Sequence, residues 1–341
     1  MKIHAHKIAS VVYRLELEHE IEYSRMVSVT TGQVLVVRAL EEKRVYDVLE
    51  LTTGRMAHIS KGDILVGALG SRAALAGFVG RVPESIEAGD HLHVLNLGGV
   101  LGECLSHNRD VGKPLAVEVI GGVTRHGEPL NIRDEALATA ESLRMNVPLV
   151  MVNGTCMNSG KTRAATEIIF HLAQRGYRVG AAKLTGVAAL RDPLSMVDHG
   201  AFMALSFLDC GVPSTSDCDD LPAVAKGVLN RLCDEGADVI VAETGDGIIG
   251  SYGVRGLLED EEIRAAATCH VITANDLVAA WGSARLFGDE LGLKLGVMAG
   301  PATDNAVGVS YVEEQLGIPA ANARTDGAKL ADLVEKQAFG S

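Results

Sequence analysis

Gly160, Lys161 and Thr162 close the run LVMVNGTCMNSGKT over residues 149–162, and no other grouping in the chain is better suited to hold a polyphosphate. The Lys161 ammonium would neutralise β- and γ-phosphates, and the Thr162 hydroxyl would be offered to Mg²⁺. Before them, Gly154, Thr155, Asn158, Ser159 and Gly160 make a loop whose backbone N–H groups can point inward. The following helix N-terminus adds partial positive charge, so an anion is held without bulky side chains. Five residues separate Gly154 from Gly160, one more than the usual phosphate-loop pattern, and Thr155 takes the place of that pattern's first Gly. A bare Gly-Lys-Thr is weak evidence by itself. Here four apolar residues precede the loop and a helix-forming segment follows, the strand, loop and helix order that such a site requires.

Other residues could complete the chemistry. Lys183 ends the apolar run RVGAAK, and a second cation near Lys161 would suit phosphoryl transfer, which depends on positioning and charge neutralisation; a strand-end Lys reaching to solvent is the plain alternative. Glu243 closes the run ADVIVAE before Thr-Gly-Asp-Gly, where a carboxylate can contact the metal of a bound nucleotide, with Asp246 as runner-up. Asp192 and Asp198 lie in LRDPLSMVDHGA, and either could join a magnesium site, although helix capping explains them equally well. Asn275, in TAND, is expected to cap the next helix rather than touch a base. Cys156 sits in the loop, where a helix N-terminus can depress a thiol pKa, but its role there is as easily steric. Cys210 with Cys218, His4 with His6, and Cys104 with His107 are poor metal sets. Ser214, Thr215 and Ser216 could bind a polar substrate or simply form a turn.

The elements that must position these groups change character along the chain. Over residues 1–120, the runs IASVVYRLEL, QVLVVRAL, RVYDVLEL, DILVGAL and HLHVLNL are short, apolar and separated by turn residues. They predict a β-rich barrel or sandwich, with a helix at most over Ser71 to Gly77. Residues 121–146 read as a connector, in which NIRDEALATAESLRM predicts a helix capped by Asn131. From 147 to 341, PLVMVN, RVGAAK, ADVIVAE, CHVITA and LKLGVMAG alternate with segments of helical spacing. That alternation predicts an α/β fold, a parallel sheet flanked by helices with ligands at the carboxyl ends of its strands.

Composition narrows the function. The 341 residues suit two domains at roughly 150 residues each, and 47% hydrophobic with 22% charged residues describes a globular chain. A net charge of −13 disfavours nucleic acid and anionic membranes as partners. No run approaches the roughly 20 apolar residues of a membrane span, and MKIHAHKIAS has no signal-peptide core, so a cytoplasmic location is expected. The six Cys residues form no CxxC pair, which points to reduced thiols rather than a disulfide framework.

The loop GTCMNSGKT resembles the GTxxxxGKT loop of dethiobiotin synthetase and its relatives, in a class that also contains cobyrinic acid amidases, molybdopterin-guanine dinucleotide factors and metal-insertion GTPases. The resemblance implies a P-loop fold, phosphate and Mg²⁺ binding by Thr155, Lys161 and Thr162, and a reaction-centre role for Lys183. In AAKLTG, Leu184 and Thr185 depart from that family's KPxxSG. Its EGAGG loop has a looser counterpart in residues 243–247, and its partner subunit often completes the site, which makes a homodimer an expectation here. A set of uncharacterised bacterial proteins with GTSMNxGKT loops is similar as well. Both resemblances cover the second half of the chain only. The leading expectation is a Mg-ATP-dependent enzyme that phosphorylates or activates a small-molecule substrate, with GTP not excluded. The alternative is a nucleotide-switched NTPase acting as a binding or metallochaperone protein.

Overall fold

A computed structural model describes residues 1–340. The chain divides into two compact units. The first comprises Met1–Leu137 with two later segments, Val187–Arg191 and Phe207–Cys218; the second comprises Ala138–Gly186, Asp192–Ser206 and the chain from Asp219 onward.

In the first unit five strands close on themselves. Leu115–Arg125 pairs with Val34–Ala39, which pairs with Ile64–Leu69, then Val100–His107 and His91–Val94, and the last returns to Leu115–Arg125. Closure leaves a barrel without free edges in this ring. Val34 to Val37 are buried on both faces of their strand. The interior is close enough that a Cβ on Gly67 would lie 2.3 Å from the Gly99 carbonyl oxygen.

Three local expectations give way here. Residues Ser10–Leu15 form a 3-10 helix, not a strand, because Val11, Val12 and Leu15 all bury with helical spacing. Arg72–Ala73 is a short strand, within the segment where at most a helix was allowed for. The long strand Leu115–Arg125 runs through residue 120, and the expected connector helix shrinks to Ile132–Glu135. Asn131 does cap that turn, with its side chain accepting from the Arg133 N–H.

The second unit is the expected α/β layer structure. Its strands are β1 (Leu149–Gly154), β2 (Val179–Lys183), β3 (Met203–Ser206), β4 (Val239–Glu243), β5 (Ala267–Thr273) and β6 (Val297–Ala299). All pairings are parallel, in the order β3-β2-β4-β1-β5-β6. The helices are α1 (Lys161–Gln174), α2 (Arg191–Asp198), α3 (Leu221–Asp234), α4 (Val254–Glu259), α5 (Glu261–Ala266), α6 (Leu277–Arg285), α7 (Ala306–Ser310) and α8 (Gly327–Phe339). Strand alternation sends Val150, Val152, Val241 and Val271 into one core with Ile168, Leu172 and Leu330. Ile272 and Met298 go to the other, with Leu258 and Phe287. Asp220, Asp260, Asp276 and Asp326 each accept N–H bonds at a helix start. No helix among the described residues is long and apolar enough to cross a membrane.

One residue works against this packing. His270, on β5, is 5% exposed beside the Phe287 ring, and neither ring nitrogen has a hydrogen-bond partner. Burial, helped by the Arg264 charge, pushes its pKa down to about 4. Between that value and the ordinary 6.5 the unfolded chain binds the proton and the folded one does not, so stability falls as pH drops through this window. A depression of this size corresponds to roughly 3 kcal/mol. His270→Leu is expected to gain about 1–3 kcal/mol at pH 7 by removing an unsatisfied buried group. The variant should also lose the extra destabilisation between pH 6.5 and 4. Urea unfolding of both proteins at pH 7 and pH 5 reads both effects, and a less stable variant with an unaltered pH slope would contradict them.

Candidate nucleotide site

The loop after β1 is tied down on both sides. The Thr155 N–H donates to the Thr273 carbonyl at 3.0 Å, and the Ile248 N–H donates to the Gly154 carbonyl at 2.9 Å. Asn158 at φ 62° and Gly160 at φ 93° turn the chain left-handed into α1. Asn is among the few non-Gly residues that adopt this region readily. Gly154 is fixed by space instead: a Cβ there would lie 2.3 Å from the Ser159 hydroxyl and 2.7 Å from the Lys161 side chain. Ser159 is wholly buried, and its hydroxyl bonds that of Thr273 at 2.7 Å, which locks the loop to β5.

Lys161 folds back over its own loop, donating to the Cys156 carbonyl at 2.7 Å. This is the place an anion would take. Burial first, and the Lys183 charge second, push its pKa down to about 8, against the pull of Glu243, Asp246 and Cys156. Asp246 thus acts on the loop cation, from a left-handed turn at φ 58°. Cys156 receives a 3.0 Å contact from the Asn275 amide. Asn275 therefore does not cap α6; Asp276 does, by accepting from the Ala279 N–H, because the helix begins one residue later than the sequence suggests.

Strand register creates the rest of the site. β4 lies between β1 and β2, with Glu243 opposite both Val152 and Lys183. Glu243 is 1% exposed. Its Oε1 accepts from the Thr162 hydroxyl at 2.9 Å and from Lys183 Nζ at 2.6 Å. Lys183 also meets Asp192 Oδ2 at 2.8 Å. Burial alone would lower the Lys183 pKa, but Asp192 and Glu243 together raise it above the ordinary lysine value. Burial holds the Glu243 carboxyl above the usual range, against the attraction of Lys183. The other oxygen, Oε2, is buried without a hydrogen-bond partner.

That orphaned oxygen beside a threonine hydroxyl has the hard-oxygen chemistry Mg²⁺ requires, and a nucleotide magnesium usually adds waters and phosphate oxygens to one or two protein ligands. Among the described residues there is no group of three or more His, Cys, Asp or Glu side chains able to hold a metal unaided. His4 bonds Glu20, His6 accepts from the Ile64 N–H, and the Cys104 thiol faces the Ser106 carbonyl. None of the six cysteines is in a disulfide. Asp192 is turned to Lys183, while Asp198 is exposed at the far end of α2. Ser214 and Ser216 bond each other in a short turn of the first unit. The sequence reading named Thr273 and Thr185 but gave neither hydroxyl a bracing role. The Thr185 hydroxyl braces the loop after β4 through the Gly245 N–H at 2.7 Å and carbonyl at 3.1 Å. A threonine in a strand-end loop carries no distinguishing sequence signal.

A parallel sheet whose central strand feeds a glycine-containing loop and a helix headed by Lys-Thr, with an acidic residue ending the adjacent strand, has the arrangement of a P-loop domain. No protein-family model and no curated protein matches the chain. Solved structures similar to it include the 54 kDa signal recognition particle protein of Aeropyrum pernix K1 in complex with GDP, at 18% identity and a TM-score of 0.38 over 57% of this chain and 50% of that one. The cell division protein FtsY of Thermotoga maritima is another, at 15% identity and a TM-score of 0.39 over 58% and 71%. The receptor FtsY of Elizabethkingia anophelis with GDP matches at 15% and 0.37 over 57% and 66%. This chain thus spans half the length of the particle protein.

Proposed function

We propose that the protein is a Mg²⁺-dependent nucleoside triphosphatase whose nucleotide state resets the loops at the carboxyl edge of its sheet. The observation that carries this reading is the sharing of one Glu243 oxygen by Thr162 and Lys183, while the other is left without a partner. A bound nucleotide and metal would satisfy that oxygen and draw both cations and the hydroxyl into a new arrangement. Thr162 and Glu243 would hold Mg²⁺, which when bound supplies charge neutralisation on the phosphates. Lys161 would leave the Cys156 carbonyl for the phosphates, and Lys183 would turn from its carboxylates toward the transferring group. Lys183 is already engaged by two acids, which favours a switch between paired states over a cation standing ready for a second substrate.

The second reading is an ATP-dependent ligase or kinase acting on a small metabolite, in keeping with the strand-end place of Lys183. Phosphate release from ATP and from GTP with Mg²⁺, with and without small acids and amines, separates the two. Slow turnover of one nucleotide, unchanged by any metabolite, is expected. Turnover that requires a metabolite and yields a phosphorylated or condensed product would replace the switch by the ligase or kinase.

The site also sets a pH dependence. A triphosphate beside Lys161 would raise its pKa from the depressed value of about 8. Above that pH, binding must take up a proton, so affinity is expected to fall as pH rises, by up to about tenfold per pH unit. Titration at pH 7.5, 8.5 and 9.5 in buffers of different ionisation heat measures both the affinity and the proton. Equal affinity at all three, with no proton taken up, would mean that this ammonium does not meet the phosphates.

A further inference from the structure

We infer that Arg72 anchors a binding site for a small carboxylate inside the barrel unit, and that Tyr46 closes it. Every group concerned belongs to that unit. Arg72 is 4% exposed and makes no ion pair among the described residues. Buried arginines are ordinarily paired, because taking a charge out of water costs more than neutral contacts return. The buried acids of the unit are engaged elsewhere: Glu50 accepts from the Ser10 hydroxyl and the Leu190 N–H, and Asp209 from Tyr13 and Arg14. Arg72 Nη1 donates to the Leu95 carbonyl. The other edge of the guanidinium is unmet. Nε is buried without a hydrogen-bond partner, and Nη2 has only a long 3.4 Å contact with the Tyr46 hydroxyl. The N–H bonds of Nε and Nη2 point the same way in the guanidinium plane, as the two-donor fork that a carboxylate accepts with both oxygens.

The surrounding residues leave room for this fork and cover it. A Cβ on Gly77 would lie 2.8 Å from Nη2, so the absence of a side chain there lets the fork keep its place. The Phe78 and Tyr46 ring centres lie 5.5 and 5.6 Å from Cζ, and the two rings meet edge-on at 5.1 Å. Ring faces offset part of the cost of a buried cation but accept none of its in-plane N–H bonds. Lys43 stands over the same Phe78 ring but bonds the Lys113 carbonyl. A single guanidinium between apolar rings therefore suits the single charge of a carboxylate on an apolar body. Tyr46 sits at φ 55°, in the left-handed region, which strains a bulky residue. A turn of the chain there toward extended backbone would relieve the strain, uncover the fork and let the hydroxyl donate to the incoming acid.

The test is a magnetic-resonance titration of the full chain, carrying isotopically labelled arginine, with sodium benzoate, acetate or phosphate. Chloride holds the ionic strength constant, and the Arg72 Nε–H resonance is identified by its loss in Arg72→Met. Benzoate, and more weakly acetate, should move that resonance downfield and saturate, as an N–H without an acceptor gains one. Gly77→Ala displaces the end of a flexible side chain, so the fold should persist while the Kd for benzoate rises about tenfold or more, the worth of one charge-assisted bond. Arg72→Met should unfold at a higher temperature than the wild type in chloride alone, because an unpaired buried charge is gone, and benzoate should no longer stabilise it. A resonance that no carboxylate moves, with Arg72→Met less stable than the wild type, would make Arg72 a packing residue held by the rings and overturn the site. A response to phosphate alone overturns the carboxylate assignment, and an equal response to every salt marks an adventitious ion only. Should Arg72→Met fail to fold, Gly77→Ala identifies the resonance and carries the test, and an unaltered Kd for benzoate there overturns the inference.

Discussion

Lys161→Ala is expected to abolish the rise in thermal stability that Mg-nucleotide gives the wild type. Lys161 is the only loop side chain that both carries charge and bends over the space enclosed by the backbone from Gly154 to Gly160, where it now meets the Cys156 carbonyl. Saturation at a hundred times Kd adds about 2.7 kcal/mol to a protein that binds in the folded state alone. For a domain of about 150–250 residues that is a shift of roughly 5–10 °C. The variant itself should fold, because a buried ammonium with a depressed pKa contributes little to stability and the alanine continues α1. Differential scanning of wild type and variant, each with ATP, GTP or neither, reads the shift and the base preference together. An equal shift in both proteins would place the nucleotide elsewhere, and no shift in the wild type would remove the site.

Glu243→Gln should separate binding from turnover. The amide oxygen can still accept from Thr162 or Lys183, so the fold and the loop persist, but the negative charge between them is gone. Losing one preorganised electrostatic contact in a water-poor site costs on the order of 10²–10³ in kcat. The nucleotide-induced stability shift should meanwhile remain, since the loop amides and Lys161 are untouched. Glu243→Ala goes further. It strips a buried lysine of one of its two acids, and breaking a buried pair costs about 3–5 kcal/mol; with Asp192 still at 2.8 Å, the low end of that range is expected. Wild-type turnover in the Gln variant would show that the carboxylate is a packing feature of the sheet edge and not part of the chemistry.

Local sequence determined the type of five of the six strands and of α1, α3, α5 and α6 in the P-loop domain, whereas β3, α2, α4, α7 and α8 were not read from it. Apolar runs such as VIVAE and CHVIT bury on both faces and form parallel strands, while TRAATEIIFHLAQ carries helical spacing and forms α1. The loop between strand and helix was equally legible, because Gly, Lys and Thr at fixed short spacing meet whatever the rest of the chain does. In the first half the same reading was weaker. VVYRL is apolar enough for a strand and regular enough for a 3-10 turn, and only its burial against the barrel decides between them. Nor could spacing tell a barrel from a sandwich, since closure depends on Val34–Ala39 and Ile64–Leu69 completing a ring with three strands later in the chain.

The charged cluster was legible as residue types but not as an arrangement. Lys183 and Glu243 are sixty positions apart and become neighbours because β4 inserts between β1 and β2, an order no local pattern encodes. Asp192 joins them at the end of a connection whose residues 187–191 belong to the other unit. The sequence alone placed together the groups proposed to touch a phosphate, since those groups lie within one loop and one turn of helix. Which acid reaches which cation was decided by the tertiary structure, because strand order and the path of a connection are set by packing between residues far apart in the chain.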